Sequence, residues 1–191
     1  MDLNYNQITL PSESATNNVK RKYTFQHPYQ QILPFHYTSI NYIINNPTAE
    51  VWKKLIQTCK YFFSKNPLYP VDELNAFTFD NIRCTITADE TDIDPNTNVP
   101  KLWALNAFCG GDEYSGRKAV SLAIPRIAKF QLRTLDLRYQ GLKLHEYHIL
   151  TASGSIETLN LVDVTIKQSD GSNINADKLF DNLNNIKEFK L

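Results

Sequence analysis

The sequence of 191 residues predicts an α/β protein, in which N-terminal helices precede a short, irregular solenoid of strand–helix units with a parallel sheet. Two patterns predict this class: apolar residues at helical spacing across 37–63, and an apolar pattern that recurs in the last third. Hydrophobic residues make up 42 % of the chain, which is enough to build a core. This content excludes collagen-like, low-complexity and wholly disordered proteins.

Charge is balanced overall but uneven along the chain. The 20 Lys and Arg equal the 20 Asp and Glu, whereas a protein that binds mainly nucleic acid carries a basic excess. The net charge is +4 over residues 1–65, −7 over 66–115 and +3 over 116–191. We therefore expect the acidic segment 72–94 to fold back on one of its basic neighbours.

Cysteine usage and hydropathy indicate the compartment. Cys59, Cys84 and Cys109 are too few, and odd in number, for a disulfide framework. The N-terminus lacks the basic start and apolar stretch of a signal peptide, and no run approaches the roughly 18 apolar residues of a membrane span. We expect a protein of the cytoplasm, and also of the nucleus, with no membrane partner.

Composition divides the chain into four parts. Residues 1–28 are polar and aperiodic, which predicts a disordered lead-in. Residues 29–67 carry the helical pattern, and 68–115 are predicted to be an irregular acidic connector with short strands. Residues 116–191 carry the repeats.

Two amphipathic helices are predicted in the second part. Tyr37, Ile40 and Ile44 recur at helical spacing, and Pro47 ends that segment. Thr48 is a suitable N-cap for a second helix. The apolar face of this second helix contains Val51, Trp52, Leu55, Ile56, Cys59, Phe62 and Phe63.

The last third contains an internal repeat. Segments 132–137, 156–161 and 186–191 share the spacing apolar-x-x-apolar-x-apolar. The first two extend to Leu142 and Ile166, which completes the eleven-position spacing of leucine-rich repeats. Each such unit is a strand plus a returning helix, and neighbouring units stack to share one core.

Several departures predict an irregular solenoid. A degenerate earlier copy is expected at 102–107, ahead of the first clear one. Gln140 and Val164 stand where the pattern usually has Asn or Cys, which is expected to weaken the ladder of backbone hydrogen bonds. The last segment ends at Leu191, so we expect either an exposed edge strand or a truncated array.

Catalytic and metal motifs are weak. His145, Glu146 and His148 lack the i,i+4 histidine spacing of a zinc-protease helix, so they are predicted to be surface residues. The acidic loop at Asp92 lacks the Gly and the bidentate Glu of a calcium loop, and Cys109 has no evident base. We expect no enzyme, no cofactor and no metal. A metal-dependent hydrolase that uses the two histidines is a remaining alternative.

Two features of the chain resemble an F-box protein. Leu33-Pro34 opens a short helix, and residues 55–63 are similar to the closing helix of the F-box. With the repeats that follow, the chain resembles the divergent F-box-like proteins of nematodes with C-terminal leucine-rich repeats. In that family the F-box docks on the Skp1 subunit of a cullin–RING ubiquitin ligase, and the repeats select the substrate. The resemblance therefore implies two partners, a Skp1-like adaptor and an unidentified protein substrate.

The resemblance also implies residue roles. The Skp1-facing apolar positions would be Leu33, Pro34, Ile40, Ile44, Leu55 and Cys59. The substrate-facing strand positions would be Arg133, Asp136, Arg138, Glu157, Asn160 and Asp163. The alternative is a stand-alone leucine-rich-repeat interaction protein that does not bind Skp1 and whose helices only cap the repeats.

Overall fold

A computed structural model describes residues 35–78, 83–93, 100–114 and 116–191. The predicted lead-in lies outside these residues, as do two of the residues assigned to Skp1 binding, Leu33 and Pro34.

Three helices open the described chain: α1 (Tyr37–Asn45), α2 (Ala49–Thr58) and α3 (Lys60–Lys65). The predicted N-cap is confirmed, because Thr48 Oγ1 accepts a hydrogen bond from a backbone N–H in the first turn of α2. Cys59 separates α2 from α3.

The single helix predicted over α2 and α3 is wrong at Cys59. The backbone there is extended, with φ −143° and ψ 110°. Thr58 explains the break, because its hydroxyl donates to the carbonyl oxygens of Lys54 and Leu55 at 3.0 and 3.2 Å. Such back-bonding from a Thr competes with continuation of a helix.

The rest of the chain forms one large sheet, one small sheet and short helices. The further elements are β1 (Leu68–Phe77), β2 (Thr85–Ala88), β3 (Thr91–Ile93), β4 (Lys101–Gly110), α4 (Ala119–Ala123), β5 (Ile127–Phe130), β6 (Thr134–Arg138), β7 (Gly141–Lys143), α5 (Leu144–Thr151), β8 (Thr158–Val162), β9 (Thr165–Lys167), α6 (Ala176–Leu179) and β10 (Glu188–Lys190). The large sheet has the order β10-β8-β6-β4-β1-β2-β3, and β5 also pairs with β4. All its strands pair in parallel except at β1–β2 and β2–β3. The predicted α/β class with a mostly parallel sheet is confirmed.

The repeated apolar positions lie side by side in neighbouring strands. Leu135 of β6 pairs with Leu159 of β8, and Leu159 pairs in turn with Phe189 of β10. In the small sheet, which β7 and β9 form, Leu142 pairs with Ile166. The alignment of the three clear copies in the sequence is therefore the lateral register of their strands.

The register corrects the expected earlier copy. Phe108 of β4 pairs with Leu135, so the segment that matches is 105–110 rather than 102–107. Leu74 of β1 pairs with Phe108, which adds the segment 71–76 to the same pattern. The part expected to hold short strands thus contributes two ten-residue strands at the centre of the sheet.

The apolar repeat pattern is hard to recognise in the sequences of β1 and β4, because alanine and glycine stand at one of its positions. Gly110 stands at the third apolar position of β4, where an added Cβ would lie 2.3 Å from a side-chain carbon of Val120. Ala76 occupies the same position of β1 and is fully buried. Because α4 packs close at this point, only small residues fit, and the strands lose the aliphatic signature.

Gln140 replaces the expected ladder residue between β6 and β7, and it is fully buried. Its Oε1 accepts the N–H of Val120, and its Nε2 donates to the carbonyl oxygens of Gly116, Arg138 and Tyr139, each at 3.2 Å. The expected weakening of the ladder is wrong here. The Gln140 side chain is longer than that of Asn or Cys, so its amide bonds both to its own turn and to the segment that leads into α4.

The core runs along one face of the large sheet. Its largest row is Leu74, Phe108, Leu135 and Leu159, all fully buried, and helices α4 and α5 cover it with Val120 and Leu150. Each such burial contributes roughly 1.5–3 kcal/mol to the free energy of unfolding.

The N-terminal helices are attached to the start of β1. Trp52 is fully buried, and its Nε1 donates to the Leu68 carbonyl oxygen at 2.8 Å. Phe62 meets the Trp52 ring edge-to-face at a centroid distance of 6.3 Å. Lys53 donates to Asp72, which raises the pKa of the lysine. This ion pair joins the basic helices to the acidic segment, in agreement with the expectation from charge.

Candidate functional site

The face of the large sheet opposite the core carries a continuous line of polar side chains, which we call the polar row. Its members pair laterally from strand to strand in one register: Asp92, Thr87, Asn75, Cys109, Asp136, Asn160 and Lys190. Laterally paired residues share a face, and successive residues of a strand alternate between faces. The polar row therefore lies on the side away from the buried leucines and crosses seven strands.

Asp136, a member of the polar row, accepts three side-chain hydrogen bonds. Arg138 Nε and Nη2 donate to its two carboxylate oxygens at 2.9 and 2.8 Å, and Asn160 Nδ2 donates to Oδ2 at 3.1 Å. The Arg138 guanidinium holds the pKa of Asp136 below its usual range, with help from Asn160 and against partial burial. A two-pronged charge-assisted contact fixes the orientation of both groups.

Cys109 lies at the centre of the polar row. Burial raises the pKa of its thiol, and the negative charges of Asp136 and Glu73 raise it further against the effect of Arg138. A thiol is nucleophilic only as the thiolate, so this environment suppresses its reactivity.

A second line of side chains, the charged row, runs from the middle of β1 and β4 to the residues that directly precede β6, β8 and β10. Its members are Asp72, Asn106, Arg133, Glu157 and Lys187. Asn106 Nδ2 donates to Asp72 at 3.2 Å, and Lys187 Nζ donates to Glu157 at 2.7 Å. The Arg133 carbonyl oxygen accepts from the N–H of Glu157, and that of Glu157 accepts from Lys187. Backbone and side-chain bonds thus connect neighbouring strands along the charged row.

The six predicted substrate-facing residues fall into three places. Asp136 and Asn160 belong to the polar row, and Arg138 lies on the same face of β6. Arg133 and Glu157 belong to the charged row instead. Asp163 follows β8 at the opposite end, where its carboxylate lies 3.0 Å from the Arg117 guanidinium. The structure thus brings three of the six together on the face of the large sheet opposite the core, which we call the open face.

The predicted Skp1-facing residues are less accessible than the helical pattern suggests. Ile40 is buried, whereas Ile44, Leu55 and Cys59 are half-buried. A different set of large apolar side chains is exposed on this part of the chain: Phe35, Tyr37, Tyr42 and Val51. We call these four residues the aromatic surface.

A cleft of about 240 Å³ lies between helices α2 and α3 and strand β1. Its lining consists of Lys53, Ile56, Gln57, Phe63, Tyr69 and Pro70. Three of the six, Ile56, Phe63 and Pro70, are wholly apolar, and the other three carry a polar group.

The histidine motif forms no metal centre in the structure. Glu146 Oε2 accepts the N–H of Lys143 at 2.7 Å and so caps helix α5. His145 is exposed and His148 is half-buried on the same helix. Across the ranges that the structure describes, no three His, Cys, Asp or Glu side chains come together as metal ligands. Nor does any helix in those ranges have the length and apolar character that crossing a bilayer requires.

Comparison with known proteins gives no match, whether to family models, to curated proteins or to solved structures. Function is therefore inferred from the contacts of this chain.

Sequence reasoning missed several members of the two rows. Asn75 and Asn106 are not among the predicted site residues, because no copy of the repeat is predicted in β1 and the copy predicted in β4 is three residues out of register. Lys190 is missed because the predicted substrate-facing set ends at Asp163, before the third copy. Alignment of the segments 71–76, 105–110 and 132–137 would have placed Asn75, Cys109 and Asp136 in one line.

Proposed function

We propose that this chain is a non-catalytic protein–protein interaction adaptor that binds its partner on the open face of the large sheet. The polar row is the main observation that supports this proposal. It presents polar side chains across seven strands, and the contact of Asp136 with Arg138 and Asn160 orders its centre before any partner binds. Groups held in advance lose less conformational entropy on binding.

The more specific form of the proposal is an F-box-like substrate receptor of a Skp1–cullin–RING ubiquitin ligase. The aromatic surface supports it, since Tyr37 and Tyr42 are each 69 % exposed on α1 and Val51 is 49 % exposed on α2. Exposed apolar groups mark a docking surface when they form one patch, and the F-box form requires these side chains to act together in this way. In this form the helices bind Skp1 and the open face binds the substrate.

The second candidate is a stand-alone leucine-rich-repeat interaction protein whose helices only cap the sheet. Trp52 and Lys53 favour it, because they fix α2 to β1 through a hydrogen bond and an ion pair. The burial of Ile40, one of the residues assigned to Skp1 contact, favours it as well. In this form only the open face binds a partner.

Co-expression with Skp1 separates the two forms. If the F-box form is right, Skp1 co-purifies with the wild-type chain, and Val51→Asp abolishes the complex because it places a charge in the aromatic surface. Ile149→Asp is the matched control, since Ile149 is 42 % exposed on α5, which lies far along the chain from helices α1, α2 and α3. Absence of a complex with well-folded wild-type protein would contradict the F-box form and leave the stand-alone form.

The open face is tested by a separate pair of variants. We expect Asp136→Ala with Asn160→Ala to lose the protein partners that proximity labelling assigns to the wild-type chain. The matched control, Asp181→Ala with Asn184→Ala, changes two exposed residues of the segment before β10. We expect this control to keep the same protein partners as the wild-type chain. Equal labelling by both double variants would contradict the open face as the binding surface.

A further inference from the structure

Strand β10 ends the large sheet on one side, and no described strand pairs with its outer edge. An edge strand presents unpaired N–H and C=O groups that can bind another strand. The N–H of Glu188 points inward and donates to the Glu157 carbonyl oxygen of the preceding unit at 3.0 Å. Because successive backbone groups alternate in direction, the N–H and C=O of Phe189 point to the outer edge.

The sequence of β10 is self-complementary in only one arrangement. It reads Glu188, Phe189, Lys190. In an in-register parallel pair of two such strands, Glu would lie opposite Glu and Lys opposite Lys, which is unfavourable. In an antiparallel pair centred on Phe189, each Glu188 lies opposite Lys190 of the second strand.

Backbone geometry favours the same arrangement. In an antiparallel pair, two opposite residues can exchange both of their N–H···O bonds. Phe189 is such a residue at the centre, since its backbone groups point outward. Such a pair has a two-fold axis and therefore closes as a dimer instead of growing into a filament.

The side chains at this edge are available for the contact. Glu188 and Lys190 form an ion pair within the strand at 2.8 Å, but both side chains are more than half exposed, so exchange of partners costs little. Phe189 packs on Phe180 at a centroid distance of 5.1 Å, and Phe180 is 42 % exposed. A second Phe189 beside the first would extend this aromatic pair.

We propose that two copies of this chain associate through β10, as an antiparallel pair centred on Phe189 in which Glu188 of each copy lies opposite Lys190 of the other. The two large sheets then form one continuous sheet. The two polar rows share one face, with a Lys190 on either side of the two-fold axis. This inference does not depend on the proposed adaptor function.

Sedimentation equilibrium over a concentration series at low ionic strength tests the pairing. We expect wild-type protein to show a reversible monomer–dimer equilibrium. Glu188→Lys is expected to weaken dimerisation by roughly tenfold, because two attractive pairs become two repulsive ones. Lys190→Glu is expected to weaken it similarly although it changes the net charge in the opposite direction. The double variant Glu188→Lys/Lys190→Glu is expected to restore the wild-type affinity.

Glu113→Lys is the matched control, since it makes the same charge change on an exposed loop after β4. It is expected to leave dimerisation unchanged. The proposal is overturned if the wild type is monomeric throughout the series, if both single variants dimerise as the wild type does, or if the double variant stays as weak as the singles. It is also overturned if Glu113→Lys weakens the dimer as much as Glu188→Lys does.

Discussion

Gln140 Oε1 accepts the backbone N–H of Val120 at 3.2 Å and so joins the β6–β7 turn to helix α4 of the preceding unit. Gly111 makes room for this amide, since an added Cβ there would lie 2.3 Å from Gln140 Nε2. The backbone of Gly111 has φ +78°, which also favours glycine. One buried side chain therefore provides the bonds between units that a shorter residue provides in a regular repeat.

Loss of the Gln140 amide is expected to destabilise the fold. Gln140→Ala leaves the N–H of Val120 buried without this acceptor, which costs about 1–3 kcal/mol. Urea unfolding followed by circular dichroism measures the change. Gln131→Ala is the matched control, because Gln131 is exposed, and it is expected to stay within about 0.5 kcal/mol of the wild type. A loss no larger than that of the control would contradict the structural role of Gln140.

The register of the strands predicts which leucines carry the core. Leu135→Ala removes a fully buried side chain that is paired on both sides, and is expected to lower the free energy of unfolding by about 2–5 kcal/mol. Leu191→Ala changes an aligned position that is 83 % exposed, so it serves as the control. Chemical denaturation distinguishes them, and equal effects would show that the register assigned to β10 or β6 is wrong.

Acid is expected to weaken the centre of the polar row. Since Arg138 lowers the pKa of Asp136, the stability that this carboxylate contributes is present above its unfolded-state pKa of about 4. It is lost as the pH falls through the lower folded-state pKa. Arg138→Ala is therefore expected to raise the pKa of Asp136 toward the ordinary value. A carboxyl NMR titration measures it, and an unchanged pKa in the variant would contradict the assignment to Arg138.

The thiol of Cys109 is expected to react slowly. Because burial and two carboxylates raise its pKa, the thiolate fraction at neutral pH is smaller than that of an ordinary cysteine. Alkylation by iodoacetamide, followed by peptide mass spectrometry, measures the rate. Glu73→Gln is expected to speed the reaction, whereas Glu113→Gln, on the loop after β4, leaves it unchanged. A faster rate in both variants, or in neither, would contradict the local electrostatic cause.

Much of the fold could be predicted from the sequence where side chains are large. Leu132, Leu135 and Leu137 are all fully buried, and their spacing was enough to predict a strand unit. Thr48 was enough to predict the start of α2. Each of these signals lies within a few neighbouring residues, so it can be recognised without knowing which distant segments are in contact.

The length and register of the strands in the other half of the sheet could not be predicted, because they depend on contacts between distant segments. Gly110 and Ala76 occupy core positions because α4 packs against them. In the sequence, these small residues interrupt the apolar spacing that predicts a repeat unit. Asn75 and Cys109 belong to the candidate site only through the register of β1 and β4. Ile40 shows the reverse case, since a helical pattern does not tell whether its apolar face is buried in this chain or kept for a partner.

The native thiols provide the most direct test of the open face as the partner-binding surface. Cys109 lies in the polar row, whereas Cys84 is buried outside it. Alkylation above neutral pH should be compared for the free chain and for its complex with a partner identified by proximity labelling. We expect the partner to slow alkylation of Cys109 several-fold and to leave the rate at Cys84 unchanged. An unchanged rate at Cys109 in the complex would contradict the open face as the partner-binding surface.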